Sequence, residues 1–127
     1  MNVVLSLIAE TWSRPKLDLS RPADQVKGSE EFYRIYRSLK LGSAEKRMVD
    51  SALDKLKQNM MAGDKIQRPQ WPPHYARGYG ISNLWKFNMS KASRLVYTLV
   101  SENGQWIVVV LEMFLTHKEY EKRFGYC

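Results

Sequence analysis

Three residues in the C-terminal third of the chain, Lys86, Arg94 and His117, have side chains suited to the chemistry of a phosphodiester. A guanidinium matches two phosphate oxygens at once, and an imidazole exchanges protons near neutral pH. In-line attack by a ribose 2′-hydroxyl on the neighbouring phosphate needs such a proton exchanger, together with positive charge on the growing oxyanion. These residues are therefore the candidate catalytic set for RNA cleavage without a metal, and no cofactor is expected.

Each of these side chains also has a purely structural interpretation. Arg94 can form an ion pair with Glu112 across a sheet, and Lys86 can be solvated on an exposed face. His117 can lie at a helix terminus with its ring satisfied by neighbours. The chemical interpretation therefore depends on the elements between residues 84 and 127, which have to bring the three side chains together.

Two strands are predicted to carry the first two candidates. Apolar and polar residues alternate over Leu84–Met89, so Lys86 projects away from the aromatic face of a half-buried strand. A second strand opens at Arg94. It leads to Asn103-Gly104, a pair that tolerates the positive φ of a tight hairpin turn. These strands form the first part of the predicted sheet.

The third strand and a short helix are predicted to position His117. Trp106–Phe114 is apolar at nearly every position, as is typical of a central strand covered on both faces. Thr116 is followed three residues later by Glu119, the signature of a capping box that begins a helix. His117 and Lys118 are then expected in the first helical turn, where free backbone amides favour an anion.

The N-terminal part of the chain is predicted to be scaffold. Residues 1–28 are expected to contain a first strand at Val3–Ile8 and a long loop over Arg14–Lys27. Residues 29–63 are expected to form a helical hairpin, because apolar residues recur there at helical spacing. Ser29 suits the N-cap of the first helix.

These helices are predicted to end near Gly42 and Gly63. Residues 64–83, rich in proline and aromatic residues, are predicted to be a loop, and His74 within it has no partner nearby in the sequence. The expected fold is a single α+β domain over residues 1–127. In it, an N-terminal helical hairpin packs on a small, mainly antiparallel twisted sheet followed by a short C-terminal helix.

Basic charge is concentrated in one segment. The chain has 20 basic and 13 acidic residues, a net charge of +7, and residues 65–101 contain no Asp or Glu. The basic residues of that segment are Lys65, Arg68, Arg77, Lys86, Lys91 and Arg94. Such a surface favours a polyanionic partner, because displaced counterions drive binding. A solvated basic surface without a partner is the alternative interpretation.

Composition excludes several other classes of protein. The one cysteine, Cys127, leaves no intramolecular disulfide and no cysteine cluster for zinc, so no metal is expected and a reducing cytoplasm is the expected location. The apolar run Val3–Ala9 is far shorter than the ~20 residues of a membrane span. No membrane partner is therefore expected.

The order of these elements resembles the RelE/ParE toxin superfamily of bacterial and archaeal toxin-antitoxin systems. The resemblance covers Ser29 to Tyr126, and the first strand and the Arg14–Lys27 loop fit it less well. It rests on a helical hairpin, Leu84-Trp85-Lys86, the strand Arg94-Leu95-Val96-Tyr97, an apolar strand, and His117-Lys118-Glu119-Tyr120. RelE-like members cut messenger RNA on the ribosome without a metal, whereas ParE-like members inhibit DNA gyrase.

The resemblance also implies roles for individual residues. It places Lys86 on the lysine-bearing strand of the family and Arg94 at the phosphate-binding arginine. His117 or Lys118 falls at a position that is a basic residue or a histidine in the family. Tyr120 or Tyr126 lies near a C-terminal aromatic residue that can stack on a base.

One departure from the family concerns proton transfer. The RelE branch has a second lysine two positions after the first, and this chain has Asn88 there. Lys91, on the following turn, is a substitute for it. Lys91 and Arg77 complete the expected RNA-binding residues, together with Lys118, Tyr120 and Tyr126.

The resemblance thus implies the toxin of a type II toxin-antitoxin system, a RelE-like endoribonuclease that cuts messenger RNA on the ribosome. Its expected partners are RNA or the ribosome and a cognate antitoxin whose helix or strand covers the basic cleft. Two alternatives stay open. One is a ParE-like gyrase inhibitor without nuclease activity, and the other, which Asn88 favours, is an orphan or degenerate toxin fold that binds RNA.

Overall fold

Residues 19–125 are described by the computed structural model, and within them the fold is α+β, with a five-stranded open sheet and four helices. The strands are β1 (Gln25–Gly28), β2 (Asp64–Lys65), β3 (Trp85–Asn88), β4 (Arg94–Glu102) and β5 (Gln105–Phe114). The helices are α1 (Glu30–Ser38), α2 (Ala44–Gln58), α3 (Pro73–Gly78) and α4 (His117–Phe124). In this range no helix is long and apolar enough to cross a membrane.

The strands follow the order β1-β5-β4-β3-β2. The sheet is mixed, because β1 runs parallel to β5 while the other pairs are antiparallel. The predicted central position of Trp106–Phe114 is confirmed, since β5 is paired on both edges and apolar side chains cover both its faces. Asn103 and Gly104 have φ values of 52° and 78°, so the predicted hairpin turn between β4 and β5 is also confirmed.

Helices cover the two faces of the sheet differently. On the first face, side chains of α1 and α2 pack on alternate residues of β3, β4 and β5 around Tyr97 and Val110. On the second face, α3, α4 and the chain before β3 pack on the intervening residues. The buried residues of the second face are Ile66, Trp71, Tyr75, Leu84, Val96, Leu111, Phe114 and Tyr120.

Side-chain hydrogen bonds cap the N-termini of α1, α2 and α4. The hydroxyl of Ser29 accepts a hydrogen bond from the Phe32 amide at the start of α1, and it donates to the carbonyl of Leu111 in β5. Helix α1 ends at Ser38, earlier than predicted, because Leu39 is already extended. Helix α2 begins at the N-cap Ser43, and the Thr116 hydroxyl accepts from the Glu119 amide at the start of α4, as predicted.

Two sequence predictions are wrong. The predicted Arg14–Lys27 loop contains most of β1, whose polar sequence has no strand pattern and whose partner is the distant β5. The predicted loop 64–83 contains β2, a 3₁₀ turn at Arg68–Gln70 and helix α3, which begins with proline at its first position. The predicted strand Val3–Ile8 lies outside the described residues.

Candidate functional site

The register of β3 and β4 places two of the predicted catalytic residues on the second face. Lys86 pairs with Val96, and Asn88 pairs with Arg94. Paired residues share a face, and residues two apart on a strand do as well, so all four side chains project to the same side. Because Val96 also pairs with Glu112, Lys86 and Glu112 lie in one row across the sheet.

All three predicted catalytic side chains lie around the ring of Tyr120. The Lys86 Nζ atom is 5.9 Å from the ring centroid, and the Arg94 Cζ atom is 5.6 Å from it. The imidazole of His117 stacks against the same ring, with centroids 6.3 Å apart and planes at 26°. Three separate elements, β3, β4 and α4, therefore meet at one aromatic side chain.

The predicted base-stacking role of Tyr120 itself is wrong. Tyr120 is only 2% exposed, its ring stacks on Phe124 at a centroid distance of 4.5 Å, and Phe114 meets it edge-on. A nucleotide base cannot reach such a ring. Tyr120 belongs to the core and orients the basic residues around it, while Tyr126, the other candidate for stacking, lies outside the described residues.

Arg94 is held by the turn that precedes β4. Its Nη1 atom donates to the carbonyls of Ser90, Lys91 and Ser93 at 2.9, 3.2 and 3.1 Å. Its Nε atom is buried without a hydrogen-bond partner, and in the described part of the chain Nη2 donates to no group. The guanidinium is thus fixed in place with Nη2 left as its donor to a ligand, and the alternative ion pair with Glu112 does not form.

His117 occupies the first position of α4 and is half exposed. Its Nε2 atom is 3.2 Å from the Glu121 carboxylate one turn along the helix, with exposed fractions of 49% and 40% for the two side chains. This contact can orient the ring. Lys118, beside it, is exposed to solvent.

The other predicted RNA-binding residues lie farther out. Lys91 is exposed in the turn between β3 and β4, and Arg77 is exposed on α3. Asp64 in β2 pairs with Lys86 in the strand register, which brings an acidic residue to the same row of the sheet. Asn88, opposite Arg94, is exposed and carries no charge.

A second cluster of titratable residues lies on the same face. The His74 Nε2 atom is 3.6 Å from Oε2 of Glu31 and 3.7 Å from Oε1 of Glu112. Arg123 holds Glu112 with two hydrogen bonds of 3.0 and 2.9 Å, from Nε to Oε1 and from Nη2 to Oε2. Tyr75 donates to Glu112.

The electrostatics of this cluster follow from burial and hydrogen bonding. Burial raises the pKa of the Tyr75 hydroxyl above its usual range, and the hydrogen bond to Glu112 raises it further. The same carboxylate raises the pKa of the Arg123 guanidinium through its hydrogen bonds. Tyr75 therefore stays a neutral donor and Arg123 a cation, and both donate hydrogen bonds to the Glu112 carboxylate.

The sequence contains one signal for this second cluster. Glu112 is the only charged residue in the apolar run Trp106–Phe114, and a lone carboxylate in a central strand needs partners. His74 and Glu31 carry no comparable signal, because tertiary packing alone brings them to β5.

A cavity in the described residues lies elsewhere. It measures about 210 Å³ and lies beside β1, α1 and α2, lined by residues including Val26, Tyr33 and Leu53. None of the predicted catalytic residues lines it. The candidate site is instead a set of cations at the rim of the second face.

Comparison of the chain with protein-family models, curated proteins and solved structures finds no match. The function therefore has to be inferred from the geometry of the chain itself. In that geometry the side chains of Lys86, Arg94 and His117 meet at the ring of Tyr120.

Proposed function

We propose that this chain is the toxin of a toxin-antitoxin system and an endoribonuclease that cuts messenger RNA without a metal. The observation that carries the proposal is the meeting of an ammonium, a guanidinium and an imidazole around one buried ring, that of Tyr120. Each cation lies within about 6 Å of the ring centroid, and the negative charge of a phosphate bound beside the ring is stabilised by both. An RNA phosphate is thus the expected occupant of this position.

The reaction follows from the roles of the three side chains. Arg94 and Lys86 bind the scissile phosphate and stabilise the charge on its oxygens as the ribose 2′-oxygen bonds to phosphorus. The bond from phosphorus to the 5′-oxygen breaks in the same in-line step. His117 carries out one of the two proton transfers, with Glu121 orienting its ring, and solvent supplies the other because Asn88 offers no titratable group.

The order of elements supports membership of the RelE/ParE superfamily, and the basic residues of β3 and β4 together with His117 favour its RelE-like branch. Two helices precede β3, β4 and β5, and a short helix follows them, which is the succession on which the resemblance rests. We include in the proposal that α1 and α2 form the toxin-like hairpin, that the protein acts in the cytoplasm on ribosome-bound messenger, and that an acidic antitoxin segment covers the basic rim.

Induced expression followed by mapping of messenger 5′ ends tests this function. Wild-type protein should arrest growth and produce new 5′ ends inside reading frames, and co-expression of the neighbouring small gene should lift the arrest. Arg94→Ala and His117→Ala should abolish both effects. The matched control is Arg34→Ala, which removes an exposed guanidinium on α1 and should behave as wild type.

Equal cleavage by the wild type and the two site variants would contradict the proposal. Growth arrest without new 5′ ends would point to DNA gyrase or another target instead.

One observation favours a second candidate, an RNA-binding module without cleavage. The uncharged Asn88 lies opposite Arg94, and part of the Arg94 guanidinium is engaged by three backbone carbonyls. Such a site binds a phosphate but transfers protons poorly. Purified protein that binds RNA and leaves translated messenger intact would select this function over the nuclease.

A further inference from the structure

Glu31, His74 and Glu112 bring three potential metal ligands together from three elements, α1, α3 and β5. One atom from each residue, a carboxylate oxygen or an imidazole nitrogen, lies within 4.8 Å of the others. Each of the three side chains is partly buried. The sequence separates them widely, so only the folded chain forms this cluster.

The imidazole of His74 is incompletely satisfied. Its Nε2 atom is buried and makes no hydrogen bond to any of residues 19–125, although it lies 3.6 Å from one carboxylate oxygen and 3.7 Å from another. Both separations exceed the usual length of an N–H···O hydrogen bond, which is about 2.7 to 3.2 Å. A hydrogen on Nε2 can point to only one of the two carboxylate oxygens, so the other oxygen receives no hydrogen bond from His74.

A divalent ion fits these separations better. Zinc binds imidazole nitrogen and carboxylate oxygen at about 2.0 to 2.2 Å, which places the ligand atoms of a tetrahedral site about 3.3 to 3.5 Å apart. All three ligand atoms lie within 4.8 Å of one another, so completing the site takes movements of a few tenths of an ångström at His74 and an approach of the two carboxylates by up to about 1.4 Å. The imidazole ligand favours zinc and related transition metals over magnesium or calcium.

We propose that Glu31, His74 and Glu112 bind one divalent transition-metal ion of the zinc class, with water at the fourth position. The remaining oxygens support this arrangement. Tyr79 donates to Oε1 of Glu31, while within residues 19–125 Oε2 of Glu31 receives no hydrogen bond and faces His74. A hydrogen bond to the far oxygen of a ligating carboxylate is a common means of orienting it.

Arg123 competes with the ion for Glu112. Oε1 of Glu112 already accepts hydrogen bonds from Tyr75 and from Nε of Arg123, so a metal bond to this oxygen has to replace one of them, and the positive charge of Arg123 also opposes a cation there. The second bond, from Nη2 to Oε2 at 2.9 Å, can persist. Removal of the guanidinium should therefore strengthen metal binding, a result that a purely structural cluster does not predict.

The ion is not part of the proposed cleavage reaction. The reaction uses the residues around Tyr120, whereas the metal site joins α1 and α3 to β5. Metal binding can thus be measured without any assay of RNA cleavage.

Zinc titration of the EDTA-treated, dialysed full-length protein against a chromophoric chelator tests the proposal. A Cys127→Ser background removes the one thiol, which could itself bind zinc. We expect one equivalent of zinc per chain, and loss of affinity by about 10- to 100-fold or more in His74→Ala and in the isosteric Glu31→Gln. Arg123→Met should bind zinc more tightly than the parent protein.

His117→Ala is the matched control, because it removes the only other imidazole and should leave the affinity unchanged. Circular dichroism of each variant confirms that it is folded. The proposal is overturned if folded parent protein binds no zinc at a single site, or if His74→Ala and Glu31→Gln bind it as the parent does.

Discussion

The shared contact of Lys86 and Arg94 with Tyr120 positions these cations more than it stabilises the fold. Both cations lie near the ~6 Å limit of a cation–π interaction, where each contributes roughly 0.5 to 1 kcal/mol at a partly exposed site. Arg94 is instead fixed by the three carbonyls that its Nη1 atom contacts. Nη2 is then the donor of Arg94 that is left for a ligand.

Arg94→Lys tests whether this fixed guanidinium is needed. A lysine keeps the charge, but its single nitrogen cannot hold the turn carbonyls and also donate to a phosphate as Nη1 and Nη2 of the guanidinium can. We expect RNA cleavage to fall by about a hundredfold, nearly as far as in Arg94→Ala. Rates of messenger cleavage by the purified variants measure this, and a lysine variant with near wild-type activity would refute the need for a guanidinium at this position.

Gly63 holds the chain after α2 against β3. A Cβ atom at this position would lie 2.3 Å from the Lys86 carbonyl oxygen and 2.8 Å from the Tyr97 hydroxyl. Gly63→Ala should therefore lower the free energy of unfolding by about 1 to 3 kcal/mol. Gly78→Ala is the control, since nothing lies within 4 Å of a Cβ there. Equal urea midpoints for the two variants would disprove the close contact.

Capping serines at two helices differ in a way that can be measured. Ser29 and Ser43 each cap a helix through the side-chain oxygen, but only Ser29 also donates to a carbonyl of β5. Ser43→Ala should cost about 1 kcal/mol of unfolding free energy. Ser29→Ala should cost about 1 kcal/mol more, because it also removes that bond to the sheet. Chemical denaturation compares them, and equal losses would exclude the added role of Ser29.

Elements with local chemistry were predictable from the sequence, and elements that depend on distant partners were not. Structure is predictable where it depends on residues only a few positions away, as it does at the caps Ser29 and Thr116 and at the Asn103-Gly104 turn. The strand β1 has no such pattern, because its hydrogen bonds come from β5, far along the chain. Helix α3 could not be predicted from its prolines, because proline occurs in the first turn of a helix as well as in loops.

Across the whole molecule, the predicted basic surface is not uniformly basic. The segment 65–101 has no acidic residue, yet folding brings Glu31 and Glu112 to its His74. The sequence pattern predicts that Lys86 and Arg94 lie on strands, as they do. Their meeting at Tyr120 and the separate His74 cluster depend on tertiary packing, which no local pattern encodes.

Buried tyrosines should make the stability of the whole chain fall in alkali. Burial raises the pKa of both the Tyr75 and the Tyr97 hydroxyl above its usual value. Above about pH 10 the unfolded chain loses these protons while the folded chain keeps them, so stability falls as pH rises, by up to ~1.4 kcal/mol per pH unit for each tyrosine. Urea unfolding between about pH 8 and about pH 11 measures this slope.

Tyr97→Phe is the matched variant for this dependence. It removes the hydroxyl that donates to the Met60 carbonyl, and it should lower the alkaline slope by one proton. An unfolding free energy that stays constant across this pH range in the parent protein would contradict the protonated state of the two buried hydroxyls.

The chemistry of the RNA ends produced on translating ribosomes tests the central claim most directly. Attack by the 2′-hydroxyl under the control of Arg94, Lys86 and His117 predicts a 5′-hydroxyl on one product and a cyclic or terminal phosphate on the other. It also predicts that a single deoxyribose before the cleaved phosphate blocks the reaction. Products with 5′-phosphate ends, or cleavage at the deoxyribose, would contradict the account.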